Sequence, residues 1–454
     1  MDFRDLTKSV ISLPWAISMF GVQQVANLVS PPPSRDSVSG TAAAFDAVSG
    51  ATERQLDGWV KQTYKVGTGV QNAVVDLMML RAPQVDSSAL MRMAAEMQSG
   101  TLFQLLIKYG MPPVAWLDSF LVPRRDSAAV QQEFANKLDI IQLVTQVHSQ
   151  LGLDDAAGQP LTALVDRAAN LETFPRLWAV EGLGNYYGDR ALETSGDTDP
   201  AGLLTDAGAA GLPPWSLTML HAGIGMSFAK KVLSGLDPAG ASDAVQRAVA
   251  RFSMLCHNSS RPGYTGAALE SLGLAARTLY PSLVTALDRE IPNVDANLHG
   301  YFWHGVGRAM YFEPLNLLPS VNAPWRAIKR LAQEAPHDLA YRNLLAGLSW
   351  AITVVNMRHP SVMETFLRHH ADLAWAQDAF TNGVTSSILM RYDTTRDDTR
   401  VASFVSHQPS DETIAAAWRS LITVPCDQAL RVTYGELTRG AALETLFQYR
   451  APAA

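Results

Sequence analysis

Cysteine is nearly absent from this chain: Cys256 and Cys426 are the only two in 454 residues, far apart and outside any Cys-x-x-Cys pair. That excludes a disulfide framework and a cysteine zinc site, and it fits a reducing compartment. Charge is also scarce, at 17% of residues with a formal net charge of -7. The basic pairs Arg124-Arg125 and Lys230-Lys231 are isolated. Nucleic-acid binders carry clustered Lys and Arg, so no nucleic-acid partner is expected. No uninterrupted apolar run of about twenty residues occurs, which argues against a spanning helix. Lys8 precedes an uncharged run from Ser9 to Ser34, but Pro14 and Gly21 break it, so it does not read as a secretory signal. The expected location is cytoplasmic.

Catalytic motifs are missing too. There is no His-Glu-x-x-His and no calcium-binding loop. Gly305-Val-Gly307 has Met310 where a dinucleotide fingerprint needs its third glycine. Gly347-Leu-Ser349-Trp-Ala351 lacks the final glycine of a nucleophile elbow, so Ser349 reads as a small packing residue. His369-His370 follows Arg368 and reads as a solvated face, while His299 and His304 are five apart, the wrong spacing for one helical face.

What the chain does contain is apolar residues, 47% of the total, at helical spacing. Residues 1–36 hold an apolar helix, Leu13 to Val29, capped at Ser12 and stopped by Pro31-Pro32-Pro33. Its apolar surface is expected either to dock on the protein's own core or to serve as a peripheral membrane or partner contact through Trp15, Phe20 and Leu28. Residues 37–157 read as a helical bundle, with Pro83, Pro112-Pro113 and Pro123 as breaks and a long helix from about Ser127 to Leu151. No strand-like alternation appears before Gly158.

Residues 158–395 carry a repeat. Glu181-Gly-Leu-Gly184, Ala222-Gly-Ile-Gly225, Glu270-Ser-Leu-Gly273, His304-Gly-Val-Gly307, Ala346-Gly-Leu-Ser349 and Asn382-Gly-Val-Thr385 align as small, apolar, small. The first small residues stand at 182, 223, 271, 305, 347 and 383, at intervals that suit helix-pair repeats. A glycine inside a helix costs about 1 kcal/mol relative to Ala, and close approach of a neighbouring backbone is the usual compensation. These cores therefore predict helices that touch at bare turns, as in a solenoid or a toroid-like ring. Residues 396–454 are expected to form a C-terminal helical cap, with helices from Asp411 to Thr423, capped at Ser410, and from Gly435 to Tyr449. The fold class is all-α.

The residue before each first small position is Glu181, Ala222, Glu270, His304, Ala346 or Asn382. Equivalent helices would gather these polar side chains around one axis, with Arg308 one turn beyond His304. Glu181, Glu270, His304 and Arg308 are thus the candidate catalytic residues, for acid–base or metal-assisted chemistry. The competing reading has the carboxylates pair with Arg308, Arg277 or backbone groups and merely fix the helices. His221, Trp303, Tyr187 and Tyr311 are the candidate ligand-binding residues, and Asn258 to Tyr264 is a polar turn that could border a cavity. No motif calls for a cofactor, and a metal stays open at the polar positions.

The cores Glu181-Gly-Leu-Gly184, His304 to Phe312 and Leu345-Ala-Gly-Leu-Ser-Trp-Ala351 resemble those of a bacterial family of unknown function found in enediyne polyketide clusters. That family repeats Gly-x-Gly-Arg-Ala-(aromatic)-Phe and Ser-Gly-Val-Gly-Leu-Ala patterns. The likeness spans roughly Leu161 to Asp393; the fifth and sixth cores depart from it with Ser349 and Thr385. The resemblance supplies no catalytic residue to carry over. It implies an accessory binding or scaffold role around a lipophilic polyketide or polyene chain, with a lipid surface and proteins of a biosynthetic assembly as further partners. The alternatives are a tailoring enzyme using the central Glu/His/Arg residues and a platform for protein–protein contacts.

Overall fold

The computed structural model describes residues 126–145, 147–153, 159–196, 198–238, 240–312, 327–370, 376–396 and 399–451. The apolar segment with Trp15, Phe20 and Leu28, and the expected helices between Glu53 and Phe120, lie outside the described residues. Every regular element among the described residues is helical. None of these helices is long and apolar enough to cross a membrane.

The chain divides into two compact units, Met1–Thr145 with Pro314–Asn322, and Gln146–Glu313 with Ala323–Ala454. In the first unit, α1 (Ser127–Thr145) is described. It buries an ion pair one turn apart, Lys137 Nζ to Glu133 Oε1 at 2.5 Å. Burial pulls the Lys137 ammonium below its ordinary range, and the Glu133 carboxylate opposes that shift.

The second unit begins with α2 (Val147–Leu151) and α3 (Leu161–Ala169), which Arg167 ties together by donating to the Leu151 carbonyl at 2.7 Å. Six helical stretches then carry the repeat cores. They are α4 (Thr173–Thr194), α5 (Pro214–Leu233), α7 (Thr265–Leu269) running into α8 (Ser271–Leu279), α10 (Leu298–Tyr311), α12 (Asp338–Asn356) and α14 (Gln377–Thr394). The intervening helices are α6 (Ser242–Ser259), α9 (Val284–Val294), α11 (Ala327–Glu334) and α13 (Pro360–His370). α6, α9 and α13 are amphipathic and bury one face, whereas α10 and α12 are buried nearly all round.

The small residues lie where neighbouring core helices touch. A Cβ placed on Gly223 would stand 2.0 Å from the Glu181 carbonyl oxygen; on Gly305, 2.1 Å from that of Glu270; on Gly347, 2.0 Å from that of His304; on Gly383, 2.1 Å from that of Ala346. In each case the first small residue of one helix meets the carbonyl just before the first small residue of the preceding one. Ser271 holds the same place in its own helix and donates its hydroxyl to the Ala222 carbonyl at 3.0 Å. The second small residues Gly184, Gly225, Gly273 and Gly307 meet the carbonyls of Leu220, Ala268, Phe302 and Leu344 on the following helix. Contacts advance together along both partners: Gly223 meets Glu181, Ser227 meets Gly188 and Lys230 meets Asp189. Successive core helices therefore run parallel. At the glycines their backbones approach more closely than a side chain would allow.

Contacts also join helices distant in this series. Arg308 of α10 reaches Glu181 of α4, and the Thr218 hydroxyl of α5 donates to Asp393 Oδ2 of α14 at 3.3 Å.

The C-terminal region differs from expectation in three respects. After α15 (Arg400–Val405), the cap of α16 (Glu412–Trp418) is Asp411, whose Oδ1 accepts from the Thr413 and Ile414 N–H groups, and not Ser410. Helical structure does not stop at Thr423 before Pro425. It continues through α17 (Val424–Gln428) to α18 (Tyr434–Arg439), with π-helical turns at Arg419–Thr423 and Ala429–Thr433. A widened turn gives the proline ring room against the preceding turn. The helix expected from Gly435 to Tyr449 instead breaks at Ala441, which takes a left-handed φ of 49°, and a 3₁₀ segment follows at Leu443–Phe447. His370, expected on a solvated face, is buried against Phe366, with ring centroids 5.2 Å apart.

Candidate functional site

Glu181, Glu270, His304 and Arg308 come together inside the second unit. α10 positions His304 and Arg308 one turn apart on the same face, the i, i+4 relation that stacks side chains along a helix. Glu270 stands at the junction of α7 and α8, where the backbone stays in the right-handed helical region. The Gly305 contact brings the Glu270 carbonyl against α10, so its side chain meets His304 and Arg308 from beside them.

His304 Nδ1–H donates to Glu270 Oε1 at 2.7 Å, and Arg308 Nη1 donates to Glu270 Oε2 at 3.0 Å. Arg308 Nη2 donates to Glu181 Oε1 at 2.8 Å. The guanidinium also lies over the Trp350 ring, 4.7 Å from its centroid, a cation–π contact supplied by α12. Glu270 and His304 are fully buried. Burial alone would raise the Glu270 carboxyl, but the Arg308 charge and the His304 hydrogen bond outweigh it and hold the group below the usual carboxylate range. Burial likewise disfavours the Arg308 cation, yet Glu181 and Glu270 raise its pKa above the ordinary value.

Both oxygens of Glu270 are thus committed, one to His304 and the other to Arg308, and the second guanidinium nitrogen is committed to Glu181. A metal ion at the Glu270 carboxylate would have to displace Arg308 or His304 first. One ring atom remains uncommitted: His304 Nε2 is buried and has no hydrogen-bond partner among the described residues. With Nδ1 donating to Glu270, Nε2 of the neutral ring carries the lone pair.

The candidate ligand-binding residues do not converge. His221 donates from Nδ1 to the Leu217 carbonyl at 2.6 Å, accepts at Nε2 from the Arg261 N–H at 3.0 Å, and stacks on Tyr264. Burial pulls it down to about 4, the Leu217 carbonyl opposing and the Arg261 charge assisting. Trp303 donates its indole N–H to Asp288 at 2.7 Å. Tyr311 is buried and its hydroxyl accepts from Asn356 Nδ2 at 2.7 Å. Tyr187 is half-buried on α4. These four occupy separate surroundings.

A second polar network was not foreseen. Asp393 accepts from the Tyr434 hydroxyl at 2.7 Å, while Arg396 donates to the same hydroxyl at 2.5 Å and lies over its ring. Burial raises the Asp393 carboxyl, against the pull of Tyr434 and Arg396. From sequence Asp393 and Arg396 fall in a charged, threonine-rich connection, Asp393 to Arg400, and none of the three carries a motif. The Asn258 to Tyr264 turn serves this region structurally: Arg261 donates to the Leu204 carbonyl at 2.8 Å and also bonds the Ala209 carbonyl, pinning the preceding loop.

Compared with known proteins, the chain matches no family model, no curated protein and no solved structure.

Proposed function

We propose that this protein is a binding or scaffold protein for a lipophilic metabolite of polyketide or polyene character, and that its central Glu/His/Arg cluster holds the helices in place. The carrying observation is that Glu181, Glu270 and Arg308 spend their charge on one another in a buried setting. Acid–base machinery must exchange protons with a substrate, whereas these three charges are committed to one another. The resemblance to the enediyne-associated family supplies the ligand class, and the low charge of the chain agrees with an apolar cargo. In this reading the core helices form a curved array that turns back on itself. Two observations support the curvature: α4 meets α10, and α5 meets α14. Attachment to a lipid surface through residues 1–36, with a cytoplasmic location, belongs to the same proposal.

The test is extraction of the purified full-length protein with organic solvent, followed by mass spectrometry, together with titration of a polyene chromophore. A retained apolar compound or a red-shifted polyene spectrum is expected. A protein that carries nothing and leaves the chromophore unchanged would remove the carrier reading.

A second reading, a tailoring enzyme, is favoured by one observation: the unpartnered Nε2 of His304 beside a carboxylate-oriented Nδ1. A Glu–His pair of this kind can act as a general base. His304→Gln separates the two readings. It should leave polyene binding within about twofold if the cluster is structural, and abolish turnover of a polyketide substrate if it is catalytic.

A further inference from the structure

Away from the central cluster, three side chains from different elements converge at one point. Asp288 comes from α9, His299 from the first turn of α10, and His337 from the residue that caps α12. His299 Nε2 lies 2.6 Å and His337 Nε2 3.1 Å from Asp288 Oδ1. The two imidazole rings are 5.2 Å apart at their centroids. All three ligand-type atoms lie within 4.8 Å of one another, and no other such trio occurs among the described residues.

We propose that Asp288, His299 and His337 form a site for a borderline divalent transition ion such as zinc. Two imidazoles and one carboxylate are a donor set that suits zinc or cobalt and is poor for magnesium or calcium, which take mainly oxygen ligands. Ligand atoms about 2 Å from a tetrahedral zinc stand roughly 3.3 Å apart, so each Asp288–histidine pair needs to open by less than about 1 Å. Trp303 Nε1 already donates to Asp288 Oδ1 at 2.7 Å, the kind of outer hydrogen bond that orients a ligating carboxylate. The His337 side chain is 38% exposed and those of His299 and Asp288 are 13% and 16% exposed, so an ion has a way in and a position left for water.

Occupancy has a specific structural consequence. His337 Nδ1 accepts the Ala340 N–H at 3.1 Å and so caps α12, which places the proton of the neutral ring on Nε2. An ion at Nε2 moves the remaining ring proton to Nδ1, facing the Ala340 N–H. The ring stays neutral, its one proton moved from Nε2 to Nδ1, and metal binding therefore opens the first turn of α12. Loss of a helix cap of this kind weakens the site by roughly tenfold relative to one with a free Nδ1.

The experiment is calorimetric titration of the full-length protein with Zn²⁺, and visible absorption with Co²⁺, at pH 7.5 in the presence of millimolar Mg²⁺. One equivalent per chain is expected, weakened at least tenfold in His337→Ala and in Asp288→Asn. Faster amide exchange at Ala340 on Zn²⁺ addition is the signature that unspecific binding would not give. His337→Ala removes the most exposed of the three side chains and should fold, and Asp288→Asn keeps an acceptor for Trp303. No stoichiometric binding, binding undiminished in both variants (as surface ligation at His369 would produce), or unchanged exchange at Ala340 each overturns the assignment.

Discussion

Glu270 receives His304 on one carboxylate oxygen and Arg308 on the other, at 2.7 and 3.0 Å, with no side-chain surface exposed to water. A buried carboxylate in that position is stabilising because its partners are already there, and removing it strands them. Glu270→Ala should cost about 3–5 kcal/mol of unfolding free energy, because it leaves Arg308 without half of its counter-charge. Glu181→Ala should cost less, since Glu181 is partly exposed and Glu270 still holds the guanidinium. Urea unfolding of both variants gives the order; equal losses would refute this division of roles.

The same pair sets an acid limit. The Glu270 carboxyl is held below its unfolded value, so the folded protein binds fewer protons at this site than the unfolded chain does once the pH falls to the unfolded pKa. The stabilisation is complete above about 4.3, the ordinary glutamate value, and is lost as pH drops through the lower folded value. The stability gap between wild type and Glu270→Gln should accordingly be constant from pH 7 to about 5 and narrow on further acidification. A gap that widens below pH 5 would mean the carboxyl is raised, not lowered.

His221 should respond over a different window. Its folded value of about 4 lies under the ordinary imidazole value of about 6.5, so stability is fully present above that and declines as pH falls toward 4. The loss across the window is about 3 kcal/mol, at 1.36 kcal/mol per unit. Nitrogen NMR of the histidine-labelled protein is the direct check. His221 should remain neutral at pH 5.5 with its proton on Nδ1, as its bonds to Leu217 and Arg261 require. An imidazolium signal at that pH would show that the ring is not sealed.

How much of this could be read in advance follows from what each feature costs. The register of small residues was legible because a mid-helix glycine is unfavourable unless a backbone lies against it, and the Glu181 and His304 carbonyls do lie there. Arg308 pairing with Glu181 and Glu270 was legible as one of two readings, because buried charges need partners. The trio of Asp288, His299 and His337 was not, since a capping histidine, a helix start and the preceding helix have no sequence spacing in common. Spacing did indicate that His299 and His304 face apart. The end of α18 was misread for a local reason: Ala441 takes the left-handed turn, although Gly440 stands beside it and would do so without strain. Asp411 and Ser410 are both good capping types, and only the backbone decides between them.

Cys256 and Cys426 are both free and buried, and burial pushes both thiols well above the ordinary range. The thiolate is the reactive form, so neither should react with a disulfide reagent at pH 8 while the protein is folded. Two equivalents per chain should appear on addition of denaturant, following the same transition as the circular dichroism signal. Reaction of one thiol ahead of that transition would reveal an opening confined to its own region, around α6 for Cys256 or α17 for Cys426.

The glycine contacts make the strongest demand on the fold. A Cβ at 347 would stand 2.0 Å from the His304 carbonyl oxygen, and one at 305 would stand 2.1 Å from that of Glu270, distances at which backbone must move. Helix propensity alone makes glycine to alanine favourable by about 1 kcal/mol. Overpacking normally costs 1–3 kcal/mol, and more where the neighbour is backbone rather than a side chain that can turn aside. Gly347→Ala and Gly305→Ala should therefore each destabilise by roughly 2–4 kcal/mol despite the propensity gain. Gly208→Ala, with nothing within 4 Å of its added methyl, should be neutral or slightly stabilising. The displacement has a second effect that distinguishes it from a simple clash. Because Gly305 and Gly347 press on the carbonyls of the residues that form the ion cluster, moving either helix pair apart also lengthens the Glu270–His304–Arg308 bonds. In a double-mutant cycle with Glu270→Gln, the Gly305→Ala penalty should shrink by at least 1 kcal/mol, the coupling expected of residues in one contact network. Additive penalties would separate the close approach of the helices from the ion cluster.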